Sequence, residues 1–252
     1  RTSMLRIFEL MKHDPGFLLR YPPIGDPYTV RPFTPQPLVF SIFQEYRQWS
    51  DILGVGSAGQ LNHLARTEQI ERFIRVAEAL HDKKIAAIAD QISARRSDVK
   101  LVLIAGPSSS GKTTFTKKLA VQLRVVGFTP VVMSTDDYFL PRELTPRDEE
   151  GEFDFESIEA IDVAHLNENL ITLFGMEEAE LPKFDFKTGQ RRETGRTLRL
   201  GPRSIVLIEG IHSLNPKLTR EIPEDRKFQI YVSALTQLNI ADRNRVPTTD
   251  VR

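Results

Sequence analysis

The hydrophobic and polar positions of the chain change their periodicity near residue 98. Between about residues 64 and 96, apolar side chains recur at every third and fourth position with charged residues between them, which predicts a long amphipathic helix or a helix pair. Beyond residue 98, short and nearly continuous apolar runs alternate with helical patterns. The runs cover residues 99–105, 130–133, 204–208 and 228–232, and the clearest helical patterns cover residues 112–126 and 161–174.

Apolar runs of this length are typical of strands that are covered on both faces. Strands that alternate with helices are joined by right-handed crossovers, which build a parallel sheet between two layers of helices. We therefore predict an α/β domain with a parallel sheet and helices on both faces over residues 98–252. A long helical connector is predicted over residues 61–97.

The first 60 residues are predicted to form a separate N-terminal extension. Prolines are concentrated between residues 15 and 37, and each one removes a backbone donor and restrains its neighbour, so we predict an extended Pro-rich arm there. Short helices are predicted on either side of it, over residues 3–12 and 38–49. The glycines at 54, 56 and 59 predict a break before the connector.

The composition excludes several classes of chemistry. The 252 residues include no cysteine, which excludes disulfide frameworks, thiolate zinc sites and thiol nucleophiles. The 34 Lys plus Arg residues balance 34 Asp plus Glu residues, and this argues against binding of the whole chain to DNA or to a membrane surface. The sequence shows neither a signal peptide nor an apolar run of roughly 18 residues, so we predict a cytoplasmic protein. Because the chain begins with Arg1 rather than Met, we expect a fragment or a processed chain.

A glycine-rich loop follows the first apolar run directly. Residues 106–113 read GPSSSGKT, which matches G-x-x-x-x-G-K-[ST] between a predicted strand and a predicted helix. Glycines allow such a loop to turn its N–H groups inward around phosphate oxygens, Lys112 reaches the β- and γ-phosphates, and the Thr113 hydroxyl is placed to ligate Mg²⁺. The residues predicted to bind phosphate are Gly106, Ser108, Ser109, Ser110, Gly111, Lys112, Thr113 and Thr114.

Acidic residues follow two of the other predicted strands. Asp136 and Asp137 come after the second strand, where ligands bind in parallel sheets, and we predict Asp136 as the base that accepts a hydroxyl proton. The alternative is that these residues cap a helix or a turn. Glu209 ends the third strand at the level of the loop, and we predict it as a magnesium ligand, the alternative being a strand-end cap.

The neutral chain contains two oppositely charged segments. Residues 136–162 are strongly acidic, and residues 183–203 are strongly basic. One interpretation is that these are solvated loops that pair with one another. The other is that the acidic segment faces Mg²⁺ and a polyol, while the basic segment faces a triphosphate, because a phosphoryl group in transfer needs cations around it.

Five motifs resemble, in their order, the uridine kinase and phosphoribulokinase family of P-loop kinases. They are GPSSSGKTT (106–114), STDDYF (134–139), EFDFESIEAID (152–162), PKFDFKTGQR (182–191) and IVLIEGIHSL (205–214). The resemblance implies a P-loop NTPase-type sheet over residues 100–252. It is greatest to a bacterial nucleoside-kinase-like branch whose N-terminal region is similar to that of threonyl-tRNA synthetase, and residues 1–96 would be the tail of that region and its connector.

The resemblance also implies roles for individual residues. Asp136 would activate a sugar hydroxyl, Lys112 and the loop amides would bind the phosphates of ATP, and Thr113 and Glu209 would help to hold Mg²⁺. Substrate contacts are implied for Tyr138, Asp154 or Glu156, Phe184, Arg191 and Arg252, and the spacing leaves the choice between Asp154 and Glu156 open.

Two departures from the family pattern bear on the acceptor. The family has a stretch that resembles Y-D-F-x-T-H-S-R, whereas here Phe184 and Gly189 stand in place of the phenol and the imidazole that would face a pyrimidine. Loss of such polar groups weakens discrimination between bases. Of the arginine-rich lid of the family only Arg243, Arg245 and Arg252 are present, so we expect this piece to bind nucleotide phosphates and to be a poor catalyst alone.

The leading hypothesis is an ATP- and Mg²⁺-dependent kinase that phosphorylates a hydroxyl of a uridine- or cytidine-like nucleoside or a related small molecule. One alternative is a nucleotide-binding regulatory module with little kinase activity, whose N-terminal extension binds an RNA or protein partner. Another is a kinase of a non-nucleoside alcohol such as a phosphosugar. Each of these is compatible with a homo-oligomer.

Overall fold

The computed structural model describes residues 7–13, 16–23, 25–35, 37–233, 238–241 and 244–245. The chain divides into two compact units, Arg1–Trp49 and Ser50–Arg252. The sequence places the first boundary near residue 60 instead, and the assignment of domains stays a prediction. Arg243 and Arg252, which the resemblance assigned to a lid, lie outside the described residues.

The first unit contains a β-hairpin where a helix was predicted. Strands β1 (Glu9–His13) and β2 (Gly16–Arg20) pair antiparallel, with Glu9 opposite Arg20, and the Arg20 guanidinium also donates to the Glu9 carboxylate. The prediction of a helix over residues 3–12 is therefore wrong for residues 7–12, the part of this range that the structure describes. Asp-Pro-Gly at residues 14–16 is turn chemistry. It favours chain reversal at this point over continuation of a helix.

Three helices follow the hairpin and precede the sheet. Their bounds are α1 (Pro37–Leu53), α2 (Ala58–Arg66) and α3 (Ile70–Ala94). Helix α1 confirms the helix predicted over residues 38–49, and Gly54, with a φ of 66°, follows its end. Ser57 begins α2 through a capping box with Gln60, so Gly59 lies inside a helix rather than in a break. The predicted helix pair over residues 64–96 is confirmed by the end of α2 and by α3.

The second unit is built on a four-stranded parallel sheet. After α2 and α3, its elements in chain order are β3 (Leu101–Ala105), α4 (Lys112–Val125), β4 (Thr129–Ser134), α5 (Val163–Phe174), β5 (Glu178–Asp185), β6 (Gln190–Arg199), β7 (Ser204–Glu209), β8 (Lys227–Tyr231), β9 (Asn239–Ala241) and β10 (Asn244–Arg245). The strand order is β4-β7-β3-β8, and all neighbours are parallel. All four strands coincide with the predicted apolar runs. Among the described helices, none combines the length and apolarity needed to cross a membrane.

Successive residues of β3 enter two different hydrophobic cores. Leu101 and Leu103 pack with residues of α5 on one face of the sheet. Val102 and Ile104 pack on the other face with residues of α3 and α4. Helices therefore cover both faces, as predicted, and β3 is fully buried because both of its faces are covered.

The order of the strands creates a crevice at their carboxyl ends. From β3 the chain crosses to β4, β7 then returns between these two strands, and β8 adds to the other side of β3. Ligands of open α/β sheets bind where the direction of winding reverses, outside the carboxyl ends of the strands. The loop after β3, the turn after β4 and the end of β7 all lie at this edge.

The antiparallel hairpin of β5 and β6 was not predicted. Its ladder begins with Glu178 opposite Arg199 and ends with Asp185 opposite Gln190, and a register shift interrupts it between Leu181 and Lys183. The sequence indicated a basic stretch here and, over residues 182–191, one of the motifs of the family resemblance, but no strands. Pro182 and the many charged residues hide the period-two pattern that would have indicated strands.

Candidate active site

The loop between β3 and α4 has the backbone geometry that its sequence predicts. Gly111 precedes α4 with a φ of 86°, and Ser109 has a φ of 58°. A Cβ atom on Gly106 would lie 2.1 Å from the Val232 carbonyl oxygen, so no other residue fits there. The loop thus passes close to the end of β8 and opens toward solvent in front of the α4 N-terminus, where anions are stabilised.

Two side chains of the loop, Lys112 and Ser110, bear on phosphate binding. The Lys112 ammonium donates to the Pro107 carbonyl oxygen at 2.8 Å and so folds back over the loop. The Ser110 hydroxyl is buried and has no hydrogen-bond partner among the described residues. A buried polar atom without a partner is costly unless a ligand or water satisfies it. The loop residues therefore fit a nucleotide phosphate.

Glu209 connects β7 to the phosphate loop. Its Oε1 atom accepts a hydrogen bond from the Thr113 hydroxyl at 3.1 Å and another from the Ser134 hydroxyl at 3.4 Å. Partial burial raises the pKa of Glu209, while the hydrogen bond from Thr113 opposes the shift. The structure thus brings together the two residues that were predicted to hold magnesium.

The two oxygen donors fit a magnesium ion that is bound mainly through a nucleotide. Within the described ranges, no group of three or more His, Cys, Asp or Glu residues could hold a metal ion. Magnesium in phosphoryl-transfer sites takes one or two protein ligands together with phosphate oxygens and waters. Thr113 and Glu209 would supply the protein share of such a shell.

Asp136 lies on the single turn of 3₁₀ helix, Thr135–Tyr138, that follows β4. Asp136 is exposed at the surface, yet the protein around its carboxyl desolvates that group and raises its pKa, while the Lys112 charge acts in the opposite direction. The N–H of Asp136 donates to the Ser134 hydroxyl at 3.3 Å. The cap of this turn is therefore Ser134, and the Asp136 carboxylate is not used as a cap.

Asp137 has a different environment from Asp136. Its carboxylate forms an ion pair with Lys183 of β5 at 2.9 Å. This contact joins the turn after β4 to the β5–β6 hairpin. The Asp137 carboxylate thus has a cationic partner on the hairpin, whereas the Lys112 charge acts on the Asp136 carboxyl. The role of Asp136 as the base stays a prediction.

Three residues with implied substrate contacts are tied to other parts of the protein. Tyr138 is 1% exposed, its hydroxyl accepts from the Asn169 amide at 3.1 Å, and burial raises its pKa to about 12. Phe184 is 5% exposed and packs edge-to-face against neighbouring phenylalanines. Arg191 donates to Asp162 at 2.7 Å. Their implied substrate contacts stay predictions, and Arg252 lies outside the described residues.

In the acidic segment, the Asp154 side chain forms hydrogen bonds with the backbone of its own segment. One oxygen of Asp154 accepts the N–H groups of Glu156 and Ser157, both at 3.0 Å. Glu156 is exposed, and its backbone carbonyl oxygen lies 2.7 Å from the Nε2 atom of His212. The choice between Asp154 and Glu156 as the ribose contact therefore stays open.

Sequence reasoning missed two residues at this edge of the sheet. Ser134 contacts both Asp136 and Glu209, and Gly210 packs closely against Thr135. Their signal was weak, because a serine at a strand end and a glycine after an acid are both common. Only the pairing of β4 with β7 shows that these residues meet.

Comparison with known proteins identifies relatives for the second unit. Residues 101–245 match the model of the Phosphoribulokinase / Uridine kinase family. The chain is 27% identical over 143 residues to a uridine kinase of Clostridium botulinum (strain Kyoto / Type A2), covering 57% of this chain and 66% of that protein. It is 36% identical over 129 residues to "Inorganic pyrophosphatase TTM2" of Arabidopsis thaliana, covering 50% of this chain and 17% of that protein. The chain thus spans less than two thirds of the length of these relatives.

A solved structure described as a possible uridine kinase from Bacillus stearothermophilus is also similar. It superposes with a TM-score of 0.48 and 29% identity, covering 59% of this chain and 79% of that chain. The family match covers the loop, the turn after β4, the hairpin and the end of β7, in the order that the motifs have in the sequence. Because the matched segment is more than half of the chain, this protein belongs to the Phosphoribulokinase / Uridine kinase family of kinases.

Proposed function

We propose that this protein transfers the γ-phosphoryl group of ATP, with Mg²⁺, to a hydroxyl group of a nucleoside or a closely related small molecule. The observation that carries the proposal is the convergence of Lys112, the Thr113–Glu209 pair and Asp136 at one edge of the sheet. The relatives named uridine kinases favour a nucleoside as the acceptor.

The arrangement accounts for the separate tasks of phosphoryl transfer. The loop N–H groups and Lys112 bind and neutralise the phosphates, so that an attacking oxygen meets less negative charge. Thr113 and Glu209 would hold Mg²⁺, which supplies further charge neutralisation between phosphate oxygens. Asp136 accepts the proton of the acceptor hydroxyl, and its raised pKa makes it a stronger base than an ordinary aspartate.

The acceptor pocket lacks the polar base-reading groups that the family pattern contains. Phe184 is turned into an aromatic cluster, and a Cβ on Gly189 would lie 2.9 Å from the Arg142 Nε atom, so Arg142 occupies the space of any larger side chain. We therefore expect weak discrimination between nucleobases. A phosphosugar or another alcohol is the runner-up acceptor, for the same reason.

An ADP-release assay over nucleosides and sugar phosphates tests the proposal in the full-length protein. We expect acceptor-dependent turnover in the wild type and a fall of roughly 10²-fold or more in Asp136→Asn, because a positioned base contributes about 10²- to 10⁴-fold. Lys112→Ala should also be nearly inactive. Asp137→Asn is the matched control, since it changes the neighbouring carboxylate, and it should lose less than about tenfold.

Two results would change the assignment. Full activity in Asp136→Asn contradicts the role of this residue as the base. Binding of ATP without any acceptor-dependent turnover favours the alternative of a regulatory module, which the N-terminal unit could connect to an RNA or protein partner. Pyrophosphate belongs in the panel because one relative is named an inorganic pyrophosphatase, although the match covers only 17% of that protein.

A further inference from the structure

Ser134 and Glu209 are register partners in the parallel ladder of the sheet. Ser134 is the last residue of β4, Glu209 is the last residue of β7, and their Cα atoms are paired across the two strands. The side chains of paired residues in neighbouring strands lie on the same face. The register therefore places a hydroxyl beside the carboxylate that is proposed to hold magnesium.

The Ser134 hydroxyl connects the proposed base to this carboxylate. Its oxygen accepts the N–H of Asp136 at 3.3 Å, and its hydrogen is donated to Oε1 of Glu209 at 3.4 Å. A hydroxyl has one hydrogen to donate and two lone pairs to accept with, so it can make both bonds at once. The same Oε1 atom accepts from Thr113, which joins the phosphate loop to the connection.

The residues that follow the two strands, Thr135 and Gly210, form a second contact, through close packing. Thr135 is fully buried, and a Cβ on Gly210 would lie 1.8 Å from its Oγ1 atom. Ser134 and Thr135 thus contact Glu209 and Gly210, respectively. The close packing of Thr135 on Gly210 leaves little room for the turn to move independently of the end of β7.

We propose that Ser134 is a positioning residue that couples the orientation of Asp136 to the occupancy of the magnesium site at Glu209. The proposal rests on the proposed function of Asp136 and Glu209. The hydroxyl caps the turn that carries Asp136 and holds one rotamer of the Glu209 side chain. A change in the position of Asp136 or of Glu209 therefore alters the position of the other residue.

Removal of the hydroxyl is expected to affect metal binding and catalysis together. Ser134→Ala deprives Glu209 of one donor and leaves the N–H of Asp136 without its cap, while Thr113 and the loop are unchanged. A hydrogen bond to a charged group is worth a factor of roughly ten to one hundred. We expect the lower end of this range, because both contacts of Ser134 are long.

The test compares three variants of the full-length protein, Ser134→Ala, Ser134→Thr and Ser204→Ala. Ser134→Thr keeps the hydroxyl. Ser204 begins the same strand β7 at its far end and accepts the N–H of Gly201 at 2.9 Å, so Ser204→Ala removes a comparable hydrogen bond away from the site. Mn²⁺ affinity is measured in the presence of a non-hydrolysable ATP analogue, and kcat is measured with the best acceptor of the panel.

We expect the Mn²⁺ affinity and kcat of Ser134→Ala each to fall about tenfold, with recovery to within about threefold in Ser134→Thr. Ser204→Ala should match the wild type in both, and the affinity for the metal-free ATP analogue should be alike in all variants. Equal Mn²⁺ affinity in the wild type and Ser134→Ala, or no Mn²⁺ binding by either, overturns the proposal. If the wild type transfers phosphate to no acceptor, the proposed function fails, while the Mn²⁺ comparison still decides the role of Ser134.

Discussion

At the scale of single residues, Asp136 shows how a functional group lowers the stability of its own fold. Its pKa in the folded protein is raised above the ordinary value of 3.8, mainly by desolvation. The folded state therefore holds the proton more tightly than the unfolded chain does. The free energy of unfolding therefore decreases as the pH rises from 3.8 through the folded pKa. Above the folded pKa, the stabilisation by the bound proton is fully lost.

We accordingly expect Asp136→Asn to be more stable than the wild type at pH 7 when nucleotide and metal are absent. The gain should shrink as the pH is lowered through the folded pKa and disappear below 3.8, because the wild-type carboxyl is then protonated in both the folded and the unfolded state. Denaturant unfolding at a series of pH values measures the difference. Asp137→Asn serves as the control, since it loses an ion pair with Lys183 and should show no such gain. A wild type that is more stable than Asp136→Asn at pH 7 contradicts the argument.

At the scale of secondary-structure elements, agreement with the sequence depends on how each element is buried. The four strands of the parallel sheet were predicted to within about two residues, because burial on both faces leaves a continuous apolar run. The hairpin β1–β2 was missed because its strands are largely exposed, and the hairpin β5–β6 was missed because Pro182 and charged residues interrupt the alternation of β5. Both hairpins depend on pairing between segments. The same distinction applies to the site. The phosphate loop is a local motif and could be predicted from the sequence, whereas the contacts of Ser134 depend on the register of β4 and β7 and could not.

The turn of the β5–β6 hairpin gives a prediction at this scale. Gly189 has a φ of 67°, and a Cβ there would lie 2.9 Å from the Arg142 Nε atom. The backbone N–H of Arg142 donates to the Gly189 carbonyl oxygen at 3.2 Å. Gly189→Ala should lower the free energy of unfolding by about 1–2 kcal/mol, the usual cost of the left-handed conformation. Gly201→Ala is the matched control, because that turn glycine has no positive φ and no neighbour closer than 3.9 Å. Equal stabilities of the two variants in denaturant would contradict a requirement for glycine at 189.

At the scale of the whole molecule, the neutral net charge conceals two oppositely charged segments that form ion pairs with each other. The acidic stretch 136–162 and the basic stretch 183–203 are joined by the pair Lys183–Asp137 at 2.9 Å and the pair Arg191–Asp162 at 2.7 Å. These two ion pairs support the interpretation that the segments pair with one another, but most of the basic stretch lies in the strands β5 and β6 rather than in solvated loops. A direct role of the basic stretch toward the triphosphate stays a prediction. The pairs fix the hairpin beside the turn that carries Asp136.

Convergence of distant segments also predicts the pattern of protection that a ligand produces. An ATP analogue with Mg²⁺ should slow amide hydrogen exchange at residues 106–114, 134–137 and 209–210 together, because all three segments meet at one edge of the sheet. At a concentration of about 100 times the Kd, binding stabilises the unit that holds the site by about 2.7 kcal/mol, so amides that exchange only by unfolding of that unit should slow by about 100-fold. The hairpin of β1 and β2 belongs to the other compact unit and should exchange at an unchanged rate. Protection confined to residues 106–114 would contradict a site assembled from three segments. It would indicate that the phosphate loop binds the ligand without the other two segments.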